Sequence, residues 1–192
     1  MIDLFIDRPT RAVAPERLAA LLGHGLSSEA VARIQSSRRG RDALDRLLVG
    51  RFGSLPALDP VQQHVARLDG DRLTMLSFDL GAIWHARAIA SIVAGDQVRA
   101  LVETIGAERR LLAFRARDDA PDVGNEHAAT PASLAVAVPR DGMACLSAWC
   151  DLQPVAFATR LRLRLPDEPI PDKLHRTYGP TILLQLVQGL IQ

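Results

Sequence analysis

Apolar residues recur along this chain mostly three and four positions apart, the spacing of one face of an α-helix. Leu18, Leu21 and Leu22 follow Pro15, which suits the first turn of a helix, and that helix ends near Gly23-His24-Gly25. Ser27 or Ser28 can cap the next, which carries Ala30, Val31 and Ile34 before the polar stretch SSRRGR interrupts it. DALDRLLVGRFG then resumes the pattern through Leu44, Leu47 and Leu48. Asp59-Pro60 reads as N-cap and first residue of a helix running to about Leu68. Asp71 opens another, with Leu73, Leu76 and Leu80 in phase and Gly81 as a weak point, and AIWHARAIASIVAG continues to Gly95. Asp96 reads as the cap of a helix whose Val98, Leu101, Val102 and Ile105 share a face, and ERRLLAFRAR is one more.

The pattern fails over residues 117–131, RDDAPDVGNEHAATP, which read as a loop. Structure restarts at Thr130-Pro131; Pro139 reads as a stop and Asp141 as the cap of the helix that follows. Pro180 is expected to open a terminal helix. In it Thr181, Gln185, Gln188 and Gln192 form a narrow polar stripe beside a wide apolar arc. Core packing is the preferred home for that arc, with docking to another protein as the alternative. Residues 2–8 alternate loosely and read as a short strand or an extended arm. The expected fold is mainly α, an irregular multi-helix single domain over 1–192 with a lobe division at 117–131.

RLRLRL, residues 160–165, supports two readings. Strict alternation is the strand signal. The preferred helix reading starts with Pro154 at its first position and stacks Phe157, Leu161 and Leu165, ending before Pro166. Either way Arg160, Arg162 and Arg164 are expected to form a solvated face whose stems cover apolar surface. A partner-binding surface is the alternative, because arginine is favoured at interfaces.

Composition narrows the function. Hydrophobic residues are 48% of the chain, enough for a core, and aromatics only 4%, so aliphatic side chains must build it. The formal charge of +1 lacks the basic excess expected of a dedicated nucleic-acid binder. Only Lys173 among the 23 basic residues is a lysine, which we attribute to coding bias. No run of about 20 apolar residues is long enough to span a membrane, and MIDLFIDRPTRAV is not a secretory signal, so a cytosolic protein is expected.

Candidate chemistry is sparse. Cys145 and Cys150, with His127 and His175, lack the number and spacing of zinc ligands, and each cysteine is read as a small buried hydrophobe. His85 shares a face with Ile89 and Ile92 and is read as a core-edge histidine with one satisfied nitrogen. Asp118, Asp119, Asp122 and Glu126 lack the order of a calcium loop. No catalytic, cofactor or metal residue is assigned.

Two stretches together carry a resemblance. LGAIWHARAIASIVAGDQVRALVETIG, residues 80–106, is similar to the middle of the SctK family (also called YscK), through Leu80-Gly81, His85 and two following helices. GMACLSAWCDLQPVAFATRLRLRLP, residues 142–166, resembles a later segment of that family: a Gly-led apolar helix, a proline at Pro154, then the arginine-leucine run. The similarity covers about half the chain; residues 36–41 and 117–131 depart from it, and residues 1–70 match only in helical character. The resemblance implies a non-enzymatic, mainly helical adaptor of the type III secretion sorting platform. Its partners would be an SctQ-like pod protein and an SctD-like inner-membrane ring protein, and through them an SctL-like stator and an SctN-like ATPase. It would be a monomer on its own, cytoplasmic and peripheral to the inner membrane. Arg160, Arg162, Arg164, Asp118 and Asp119 are the candidate interface residues. Two rivals remain: a DNA-binding regulator with a helix-turn-helix at 27–50, and a small hydrolase using Cys150 or His85.

Overall fold

The computed structural model describes residues 8–10, 13–23, 25–123, 129–165 and 169–191, and among them it has eleven α-helices and no strand. The mainly α reading therefore holds. The expected strand or arm at 2–8 lies, all but Arg8, outside the described residues. The chain forms two compact units, one of residues 1–70 with 152–166 and one of 71–151 with 167–192. The chain passes from one unit to the other after residues 70, 151 and 166, and not within 117–131.

The first unit contains α1 (Pro15–Leu22), α2 (Ser28–Ser36), α3 (Arg38–Phe52), α4 (Pro60–Ala66) and α10 (Val155–Arg162). Its starts follow the capping chemistry. The Ser27 side chain accepts from Ala30 N–H, and Asp59 and Gln62 form a reciprocal capping box. Ser37 alone separates α2 from α3 and caps the latter. Val13, Leu18, Val31, Leu48 and Leu163 form a buried cluster here. The segment before α1 is tied down by Asp45, whose Oδ1 accepts from Thr10 N–H at 3.0 Å and from its hydroxyl at 2.7 Å.

The second unit contains α5 (Gly70–Trp84), α6 (Ala86–Ser91), α7 (Gly95–Ile105), α8 (Ala107–Ala116), α9 (Pro131–Asp151) and α11 (Lys173–Ile191). Ala94, not Asp96, is the N-cap of α7. The centre of the unit is α9, in which every residue from Asp141 to Cys150 is buried. A helix with apolar residues on all sides must be enclosed, and α5, α7 and α11 pack against this one. The approaches are close. A Cβ on Gly81 would overlap the Val138 carbonyl, and one on Gly142 would overlap the Ser77 carbonyl. A Cβ on Gly179 of α11 would lie 2.9 Å from the Cys145 Cα. Gly81 is therefore a contact point rather than a weak one: α5 runs through it, and the missing side chain lets the α9 backbone in.

Three prolines sit elsewhere in their helices than local signals predict. Pro139 does not stop a helix; α9 runs through it for 21 residues. A proline inside a helix removes one hydrogen bond and costs about 3 kcal/mol, and burial of the following two and a half turns outweighs that. Pro180 does not open the terminal helix but lies inside α11. That helix starts at Lys173, where Asp172 Oδ1 accepts the His175 N–H at 2.9 Å. Pro154 is the N-cap of α10 rather than its first helical residue.

Candidate functional site

RLRLRL resolves into the end of a helix: α10 stops at Arg162, and Leu163 and Leu165 continue inward beyond it. Its arginines are not the solvated face that alternation suggested. Arg160 is only 4% exposed, and its guanidinium donates to the carbonyls of Ala156 at 2.7 Å and Gly53 at 3.3 Å. Arg164 is half-buried and one of its terminal nitrogens donates to both Ala66 and Leu68 carbonyls at 3.0 Å. Burial pulls the pKa of both guanidinium groups down, against the pull of Asp45 on Arg160 and of Asp69 on Arg164. Arg162 is half-buried, and its carbonyl accepts from Arg17 at 2.9 Å. The physical reason is geometric. Carbonyls left open at the ends of α4 and at Gly53 need donors, and arginine offers five on a fixed fork. Arg164→Ala is expected to destabilise the chain by about 2 kcal/mol, because it strands two carbonyls. Arg164→Lys should restore only part of this, a comparison read by urea denaturation.

Asp118 and Asp119 are exposed, and Asp118 pairs with Arg117 at 3.1 Å. They and the arginine segment belong to different units, so the five candidate residues form no single cluster within one unit.

The side chains that converge most closely come from distant parts of the sequence. In the second unit a cleft of about 630 Å³ is lined by Trp84, His85, Arg140, Asp141, Asp172 and His175, among others. Asp141 is its hub and is not a helix cap. One carboxylate oxygen lies 2.8 Å from His85 Nε2 and accepts from Arg140 at 3.0 Å, while the other accepts from Arg140 Nε at 2.7 Å. Burial alone would raise the Asp141 pKa. The hydrogen bonds from His85 and Arg140, with their charges, win and hold it at about 2.

His85 occupies the break between α5 and α6 and is a core-edge histidine with Nε2 engaged, as its spacing predicts. His175 stacks on Trp84 with ring centroids 4.4 Å apart. Its Nδ1 is 2.8 Å from Asp172, and its buried Nε2 faces Asp141 at 3.8 Å, beyond hydrogen-bond range. The backbone N–H of His175 holds the Asp172 carboxyl below its usual range.

This arrangement locks helices together: an acid on α9 holds the α5–α6 break, and Trp84 at the end of α5 stacks on a histidine of α11. Among the described residues, no thiol or hydroxyl is hydrogen-bonded to His85 or His175. Cys145 is buried and burial raises its thiol pKa strongly. Cys150 lies nine residues, about 13 Å, along α9 from the acid that His85 touches. The hydroxyl of Ser133, on the cleft wall, donates to the Thr130 carbonyl at 2.9 Å. The helix-turn-helix reading also meets an obstacle, since one residue joins α2 to α3 where that motif has a turn of about three or four. No group of histidines, cysteines and acids among the described residues has the arrangement of a metal site, and none of their helices is long and apolar enough to cross a membrane.

Residues 26–188 match the family described as YOP proteins translocation protein K (YscK). The nodulation protein NolU of Rhizobium fredii is 34% identical over 169 residues, which span 82% of this chain and 74% of that protein. NolU of Sinorhizobium fredii (strain NBRC 101917 / NGR234) matches with the same identity and coverage. No solved structure matches the chain.

Proposed function

The chain belongs to the YscK family, a type III secretion family, and from that premise we propose that it is a non-enzymatic adaptor of the secretion sorting platform. In this reading it joins an SctD-like inner-membrane ring protein to an SctQ-like pod protein, and through the pod it serves an SctL-like stator and an SctN-like ATPase. It works at the cytoplasmic face of the inner membrane. The family match over residues 26–188 carries the proposal. The architecture supports it: each of two compact units has its own buried apolar cluster, so each can present a fixed outer surface. The residues that converge most tightly are spent on bonds inside each unit, which holds the outer surface of that unit fixed.

Co-purification tests the reading. The tagged chain, expressed with the pod and ring homologues of its own organism, is expected to retain both. Retention of neither would overturn the adaptor assignment.

A further inference from the structure

The formal charge of +1 conceals a division. Residues 1–70 and 152–166 hold 13 basic residues against 8 acidic, a net +5, while 71–151 and 167–192 hold 10 against 14, a net −4. In the positive unit, α3 turns Leu44 and Leu48 inward and leaves Arg39, Ala43, Arg46 and Gly50 exposed at i, i+4, i+7 and i+11. Arg38 lies about 100° round the helix from Arg39, with the exposed Asp42 between it and the stripe, and Leu47 and Val49 flank the stripe with 49% and 38% of their surfaces exposed. A Cβ on Gly50 would meet nothing within 4 Å, so the stripe is open.

We propose that this outer face of α3 docks an acidic protein surface. Arg38 and Arg39 form no ion pair among the described residues, and Arg46 is tied only through Nε, to the Asp42 carbonyl at 3.2 Å. Their remaining donors can take carboxylates side-on. Ala43 and Gly50 let a partner come near the helix, and Leu47 and Val49 supply apolar contact of the kind found in protein interfaces. Arg38 and Arg39 also occupy the first turn of α3, where the helix dipole disfavours positive charge. Local stability therefore does not account for them. Duplex DNA is a poorer fit, because the other unit is net negative and the chain as a whole carries no basic excess. The assignment rests on the adaptor reading for its partner and adds the chemistry of one contact.

The test is a triple variant, Arg38→Glu with Arg39→Glu and Arg46→Glu, in the full chain. Its affinity for the purified pod homologue and for the ring homologue's cytoplasmic domain is measured at low and physiological salt. Affinity for one partner is expected to fall about tenfold or more, with a weaker salt dependence. The melting temperature should hold or rise, since glutamate suits a first helical turn. Loss of binding with an unchanged fold is a result that mere structural damage cannot produce. A wild-type chain that binds neither partner refutes the adaptor reading. A variant that binds both as tightly as wild type refutes this docking face alone. Arginine-dependent retention of a short DNA duplex at physiological salt would overturn it in favour of nucleic acid.

Discussion

Gly142→Ala is expected to destabilise the second unit by about 3 kcal/mol, at the upper end of overpacking costs. In an ordinary exposed helix the same change stabilises by roughly 1 kcal/mol, so the sign is the signature. The added methyl would meet backbone, the Ser77 carbonyl and the Gly81 nitrogen, not a side chain that can rotate away. Relief requires α5 and α9 to separate, and that exposes the apolar residues between them. Gly81→Ala should act alike through the Val138 carbonyl, and the double variant should lose less than the sum, because one displacement of the helices relieves both clashes. Gly50→Ala on the open face of α3 is the control and should raise stability slightly. Thermal denaturation by circular dichroism distinguishes these, with a fall of about 6–12 °C expected for each buried site. A melting temperature that holds or rises for Gly142→Ala would show that the helices do not cross this closely.

Asp141→Asn should cost about 2 kcal/mol, because it leaves His85 and Arg140 without the carboxylate that binds both. The wild-type pH profile carries the same information. The folded pKa of Asp141, about 2, lies below its ordinary value of 3.8. The carboxylate therefore adds stability that is fully present above the ordinary value. That contribution is lost as pH falls from about 5 through the folded value. The difference corresponds to about 2 kcal/mol. Urea midpoints measured from pH 6 down to about pH 2 should fall more steeply for wild type than for Asp141→Asn. Parallel profiles would mean that Asp141 is not held by these partners.

Much of the local structure was written in the chain. Ser27, the Asp59–Gln62 pair and Thr130-Pro131 begin helices where their side chains satisfy free N–H groups, a matter settled within four residues. His85 was legible as a core-edge residue from its phase with Ile89 and Ile92. Its partner was not, because Asp141 is 56 residues away and follows a proline that reads as a helix stop. One signal was available: Asp141 is a lone acid at the head of a long apolar run, which is unusual unless the acid is paired. Asp172 three residues before His175 likewise marked a helix start that Pro180 obscured.

The sequence alone determined that the chain is helical and where most helices begin, since these depend on residues within a turn or two of each other; it did not separate the exposed Leu47 from the buried Leu44 and Leu48. Tertiary structure decided that α9 continues through Pro139, that Gly81 and Gly142 are crossing points, and that Arg160 and Arg164 bond backbone carbonyls instead of water. Each of those outcomes depends on a group from a distant segment arriving at the site. Local periodicity records which way a side chain points but not what comes to meet it.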